Sequence, residues 1–271
     1  MRGWWREIAG LVLPVACGGC GGSRTVLCPE CAGALAAAGP RRVRPAPEPT
    51  GLPAVHAAAP YAGAVRELLL AHKERGALAL AGPLGGALAA AVAAAAGPAT
   101  GLVSPPLLLV PVPSSRRSVR ARGHDPTRRI ALAAAARLRR AGRAARVVPV
   151  LRQRRYVADQ AGLGARGRLA NLSGALEVVP GGARLLGTGR VVLVDDLMTT
   201  GASLAEAARA LEDVHLPFIP GLPQAWTERS PERSAQHGFE QRRAAVIASS
   251  PASFEINRNS SGTWIVAGGE R

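Results

Sequence analysis

The chain of 271 residues has few lysines, aromatics and acids, and each shortage removes a class of explanation. Lys73 is the only lysine, so nearly all of the 34 basic residues are arginine, and arginine abundance alone carries little functional meaning. Aromatic residues make up 3% of the chain, too few for an extended platform on which bases of a single strand could stack. No uninterrupted apolar run reaches the roughly 18 residues of a membrane span, because Gly and Pro break the Ala-rich stretches. Residues 1–17 have the outline of a signal peptide. However, Glu7 stands in the charged region, Pro14 interrupts the apolar run and Cys17 belongs to a cluster, so the expectation is a cytoplasmic protein without a membrane span.

With 18 acids against 34 basic residues, the formal charge is +16, which favours acidic partners: nucleic acid, an anionic membrane surface or a phosphorylated small molecule. The excess concentrates between Ser114 and Arg155, where Asp125 is the only acid. Hydrophobic content of 48%, much of it Ala, and the chain length suit one α/β core with a small appendage.

All four cysteines stand close together, as Cys17-Gly18-Gly19-Cys20 and Cys28-Pro29-Glu30-Cys31. Paired C-x-x-C knuckles place two thiolates on each of two tight turns, the arrangement that a tetrahedral zinc ion requires, and no position is left for water. A structural zinc ion is therefore expected. Two disulfides would need an oxidising compartment, and a redox dithiol would need only one of the pairs.

Along the chain, residues 1–38 form the expected zinc module, with a short helix over 32–38. Residues 39–53, rich in Pro and Arg, read as a linker. Strands are expected at 55–59, 107–112, 147–151, 176–178 and 190–194, and helices around 65–73, 82–96, 126–140 and 204–213. This alternation predicts a mostly parallel sheet in a domain over 54–213. Beyond residue 213 the texture changes: Phe218, Phe239 and Phe254 are the only phenylalanines, and Ser, Pro, Gln and Asn replace Ala, Arg and Val. Residues 214–271 read as an atypical tail, either a disordered extension or a frameshifted reading, with 244–248 and 264–267 as its two candidate short strands.

The most informative stretch is residues 191–203. Four buried-strand residues, Val191 to Val194, deliver Asp195 and Asp196 to the C-terminal edge of the sheet, where open α/β folds bind ligands. Thr199, Thr200, Gly201, Ala202 and Ser203 then supply hydroxyls and backbone N–H groups at a helix start, which favours an anion. Paired carboxylates accept hydrogen bonds from a diol, so a phosphorylated ribose suits the segment. Both carboxylates are expected to be exposed at the strand end.

This segment resembles the phosphoribosyl pyrophosphate (PRPP)-binding motif of the type I phosphoribosyltransferases. With the knuckles in front of it, the chain from about residue 8 to 213 resembles the ComF family, in which a cysteine zinc module precedes a domain of that kind and which is associated with competence and DNA uptake. The elements follow in order: Leu13-Pro14, the knuckles, Tyr61-Ala62-Gly63, Lys73, Pro111-Val112-Pro113, Arg122-Gly123, Gln160, Leu163, Arg168, Asn171 and the Asp195–Ser203 motif. Two departures stand out. His124-Asp125-Pro126 replaces the usual aromatic, Asn and Gln, and the motif helix runs into the atypical tail where a closing strand is usual.

The resemblance implies a type I phosphoribosyltransferase-like fold and transfer of a 5-phosphoribosyl group from PRPP, with Mg²⁺, to a nitrogen nucleophile. It implies Asp195 and Asp196 as catalytic residues at the ribose and residues 199–203 at the 5′-phosphate. Ser114, Ser115, Arg116 and Arg117 would lie at the pyrophosphate, and Lys73 would be a further substrate contact. A non-enzymatic accessory role in handling single-stranded DNA, with DNA-processing proteins as partners, is the alternative, and a homodimer is compatible with either.

Overall fold

Leu107–Pro111 is apolar throughout, Arg190–Met198 and Arg243–Ser249 carry the apolar runs 191–194 and 244–248, and the computed structural model places the three strands side by side at the centre of a six-stranded sheet. The structure describes residues 16–98, 104–154, 172–213 and 243–254. In chain order these form α1 (Pro29–Ala36), β1 (Arg41–Val43), β2 (Ala54–Pro60), α2 (Gly63–Lys73), a short 3₁₀ turn (Leu78–Leu80) and α3 (Ala81–Ala96). Next come β3 (Leu107–Pro111), α4 (Arg116–Arg122), α5 (Pro126–Arg140), β4 (Ala145–Val147), β5 (Leu151–Gln153) and β6 (Leu176–Val178). The last elements are α6 (Gly182–Leu186), β7 (Arg190–Met198), α7 (Ala202–Glu212) and β8 (Arg243–Ser249).

The sheet runs β1-β2-β8-β7-β3-β4, parallel throughout except for β1, and β5 and β6 make a separate antiparallel pair. Successive side chains of a strand face opposite ways, which divides the core in two. Leu107, Leu109, Val192, Val194, Ala245 and Ile247 face α2, α3 and α5, whereas Leu108, Val110, Leu193, Ala244 and Val246 face α7 and the β5–β6 pair. The chain is thus α/β, with a mostly parallel sheet covered on both faces and a cysteine cluster ahead of it.

α3 belongs to the stretch Leu78–Ala96, which is long and apolar enough to cross a membrane by composition, with mean hydropathy 1.8 over its best window. Here it is a core helix, with Leu84, Leu88, Ala91, Val92 and Ala95 wholly buried. Small residues let it approach α5 closely: a Cβ on Gly85 would lie 2.5 Å from the Cβ of Ala133.

Several expectations change. The sheet does not end with residue 213, because β8, from the segment read as a tail, is hydrogen-bonded between β2 and β7. Its run Ala244 to Ala248 is fully buried, and burial on both faces is what a central parallel strand needs. Nor is 39–53 only a linker, since Arg41–Val43 pairs with Val55–Ala57 as the sheet's antiparallel edge. The strand expected at 147–151 is two strands on either side of Val148, Pro149 and Val150. His124-Asp125-Pro126 has a local structural account: the Asp125 side chain accepts from Arg128 N–H at 3.0 Å and Pro126 occupies the first turn, a helix start for α5. Leu13, Pro14, Gln160, Leu163, Arg168, Asn171, Phe218, Phe239 and the candidate strand 264–267 lie outside the described residues.

Candidate functional site

β7 delivers the two carboxylates, but not as exposed groups. The strand continues to Met198, with β8 paired as far as Met198↔Ser249, so the acidic pair lies within the sheet end and not beyond it. Asp196 is 5% exposed, and Lys73, at the last turn of α2, donates from Nζ to Asp196 Oδ2 at 2.8 Å. Asp195 Oδ1 accepts from the backbone N–H of Asp196 at 2.8 Å and from the hydroxyl of Thr127 on α5 at 3.5 Å.

The electrostatics follow from this burial. Burial and the neighbouring Asp196 charge push the Asp195 carboxyl well above the ordinary carboxylate range, and Lys73 only partly opposes them. For Lys73 the balance is reversed: burial disfavours its ammonium, but the charges of Asp196 and Asp195 outweigh burial and raise its pKa.

Behind the pair, residues 199–203 turn into α7 through Gly201, whose φ of +78° is open to glycine at little cost. Among the described residues no side chain caps this helix apart from a long contact of 3.5 Å from Ala202 N–H to Thr200 Oγ1, which leaves its first turn suited to an anion. Asp195, Leu197, Met198, Thr199, Thr200, Gly201, Ala202, Ser203 and Leu204 together line a small cavity of about 30 Å³. Leu52 closes one side, since a Cβ on Gly201 would come within 2.9 Å of it.

The neighbouring strands end at the same edge. β3 runs beside β7, with Val112 N–H donating to Val194 O at 2.9 Å, so residues 113–117 leave the sheet next to Asp195. Ser114 is partly buried and Arg117 is exposed. The Ser115 hydroxyl caps α4 by accepting from Ser118 N–H at 3.1 Å, which gives it a structural duty that the sequence reading did not foresee. α4 is tied back to α2 by a forked contact from Arg122 to both oxygens of Glu74, at 2.9 and 2.7 Å. On the other side of β7, Ser250 N–H donates to Met198 O at 3.0 Å and Tyr61 N–H to Ser249 O at 2.7 Å. The Ser250 and Ser253 hydroxyls meet at 2.7 Å. Lys73, Asp195, Asp196 and residues 199–203 are therefore brought to one edge, beside the turn at 113–115 that leads into α4. Thr127, Glu74, Tyr61 and Ser250 were missed as neighbours of this edge, and an isolated Thr or Glu on a helix carries no signal that would have found them.

The cysteine cluster is a second candidate site, packed on α2 through Gly18 and Gly19. The four sulfurs all lie within 4.8 Å of one another, and all four thiols are free of disulfides. A tetrahedral zinc with sulfurs at about 2.3 Å needs them about 3.8 Å apart, so the donor set fits a metal of that kind. The first turn is held by Cys17 N–H to Gly22 O and Gly21 N–H to Cys17 O, and Cys28 N–H donates to Cys17 Sγ at 3.3 Å. Burial opposes ionisation of Cys17, but N–H donors from Cys20, Cys28 and Gly19 outweigh it and bring the thiol down to about 6. Gly19 is required here, because a Cβ would fall 2.6 Å from Cys31 Sγ. Compared with the models of known protein families and with curated proteins, the chain matches none.

Proposed function

We propose that the chain is a phosphoribosyltransferase-like protein of the ComF type that binds PRPP at the β7 edge and transfers its phosphoribosyl group to a nitrogen nucleophile. The observation that carries this reading is the meeting of a carboxylate pair, a helix start without a side-chain cap and the end of β3 leading into the arginine-rich α4 at the C-terminal ends of adjoining parallel strands. Asp195 and Asp196 accept from the ribose hydroxyls, the amides and hydroxyls of residues 199–203 hold the 5′-phosphate, and Ser114 with Arg117 at the start of α4 receives the pyrophosphate. Lys73 donates to Asp196 Oδ2 and fixes that side chain in place, so that charge developing at the anomeric carbon meets a preorganised group. Mg²⁺ needs only oxygen ligands, mostly water and phosphate, and when bound with PRPP it neutralises charge on the departing pyrophosphate.

In the reaction the bond from the anomeric carbon to pyrophosphate breaks and one to nitrogen forms, with nucleophile and leaving group on opposite sides. β3, which carries the pyrophosphate loop, flanks β7 on one side, so the acceptor approaches from the β8 side, near Tyr61, Ser250 and Ser253. The cysteine set holds a structural zinc. Titration calorimetry with PRPP and Mg²⁺ tests the reading: binding by the wild type that is lost in folded Asp195→Asn/Asp196→Asn supports it, and equal affinity of the two proteins overturns it.

A further inference from the structure

We infer that Arg143, Arg190 and Arg243, at the N-terminal ends of the parallel strands, form a further anion site that takes the phosphate or pyrophosphate group of a small molecule. This site stands at the opposite end of the sheet from Asp195 and Asp196 and does not rest on the PRPP reading. β7 begins at Arg190, β8 begins at Arg243, and Arg143 lies in the turn from α5 to β4. Arg190 and Arg243 share a face of the sheet: Arg243 is registered with Val192, and the residues at two-step spacing from them, Val192, Val194, Ala245 and Ile247, all belong to the core on the α3 side.

The last turn of α3 draws the three side chains together. Arg243 donates from Nη1 to Ala95 O, Arg190 from Nη2 to Ala96 O at 2.9 Å and Arg143 from Nη1 to Gly97 O at 2.8 Å. One guanidinium is thus fixed on each of three consecutive carbonyls at a helix end, where the helix itself supplies no partner. Capping explains their position but not their charge. A helix C-terminus carries roughly half a negative charge, so the ends of α3 and α5 together offset only about one of three full positive charges. Among the described residues no acid forms an ion pair with any of the three. They also repel one another: burial, then the charges of Arg243 and Arg143, hold the Arg190 guanidinium below its ordinary value. A phosphate dianion would cancel the remaining surplus of about two charges. Each guanidinium has five N–H donors in a planar fork, so beyond its bond to α3 it has donors suited to phosphate oxygens.

The size of the cluster selects the ligand. Three consecutive residues span about 3 Å of helix axis, so the guanidiniums are anchored within the footprint of one phosphate or pyrophosphate group. A duplex nucleic acid presents its charges as an extended run, and such a run calls for a row of cations and not a partly buried corner.

Hydrogen exchange read by mass spectrometry on the full chain, with pyrophosphate titrated at constant ionic strength, tests the inference. The expected result is saturable protection of residues 91–97 and 190–192 in the wild type and equally in folded Asp195→Asn/Asp196→Asn, which separates this site from the β7 edge. Arg190→Gln/Arg243→Gln should lose the protection, and Arg143→Gln, in a turn outside the sheet, should need about tenfold more pyrophosphate for the same effect. No protection in the wild type, protection that disappears with the carboxylate pair, or an unchanged titration in Arg143→Gln would each overturn the inference. A short DNA duplex that protects the same residues at a lower concentration of phosphate groups would overturn it in favour of nucleic acid. Should Arg190→Gln/Arg243→Gln fail to fold, Arg143→Gln still decides.

Discussion

The two candidate sites of this protein are built in opposite ways. The cysteine cluster draws all its ligands from one short stretch, and its turns close on themselves through Cys17, Gly21 and Gly22. The carboxylate site joins Lys73 to Asp196 across 123 residues, with Thr127 and Tyr61 arriving from other elements. One site needs only local turns and a metal, whereas the other exists only when the whole sheet has assembled. The two are nonetheless coupled through packing, because Cys17, Cys31 and Leu35 share a core with Leu68, Leu80 and Leu84.

The largest effect should come from ending the chain after Asp213. That removes β8, leaves β2 and β7 without their shared neighbour, and exposes backbone groups and apolar faces on both sides of the gap. We expect no cooperative unfolding transition in calorimetry. A truncated protein that melts like the full chain would show that β8 is not integral to the sheet. This contrasts with a disordered extension or a misread tail, whose removal would cost nothing.

Removing the metal should rank next. Chelation, or Cys28→Ser/Cys31→Ser, should free the two turns and α1, with a fall in melting temperature and new hydrogen exchange in residues 16–36. Because Cys31 and Leu35 pack on α2 and the 3₁₀ turn, the loss should reach Leu68 and Leu80 and not stop at a module boundary. Exchange unchanged outside residues 16–36 would restore the view of an independent module.

At the sheet edge, Lys73→Met should cost about 3 kcal/mol by denaturant titration, the low end for breaking a buried pair, because the Lys73 side chain keeps 34% exposure while Asp196 is left buried without its cation. Adding Asp196→Asn should recover part of that loss, since the uncompensated charge goes with it. A double mutant less stable than Lys73→Met alone would show that the ion pair is not the relevant interaction.

The legibility of the sequence follows the same division. The C-x-x-C spacing is local, and the four sulfurs do come together. The alternation of apolar runs with amphipathic stretches predicted the mostly parallel sheet, and Pro126–Arg140 matches its expected bounds. What could not be read is what depends on strand order. Nothing in Ala244-Ala245-Val246-Ile247-Ala248 says that it slots between β2 and β7, because period and propensity describe a strand and not its neighbours. The burial of Asp196 was missed for the same reason, since Asp195-Asp196 looks like a strand end until flanking strands extend past it. The change of texture after residue 213 was real as composition and misleading as a boundary.

The smallest effect concerns two histidines that belong to neither site. Burial holds the imidazole of His72 below its ordinary value, and the charges of His124 and Arg129 act the same way against the carbonyl contact of Nδ1 with Ala77 O. Burial, Arg243 and Arg42 likewise lower His56. In both cases the unfolded chain takes up a proton more readily than the folded one. The stabilisation is therefore fully present above about pH 6.5, the ordinary imidazole value, and is lost as pH falls from there through the lowered folded values. Melting temperature should thus decline between pH 7 and pH 5, less than it does on losing the metal or the Lys73 pair. His72→Gln should flatten part of that decline, because a neutral amide has no proton to gain. His72 is the better probe of the coupling between regions: its ring lies 5.8 Å from that of His124, on the loop that follows Arg122, and its neighbour in sequence is Lys73. If acid weakens the packing of α2 against that loop, hydrogen exchange at residues 63–73 should rise before exchange at the cysteine turns. Simultaneous loss of protection at both would mean that the knuckle and the sheet edge open as one unit.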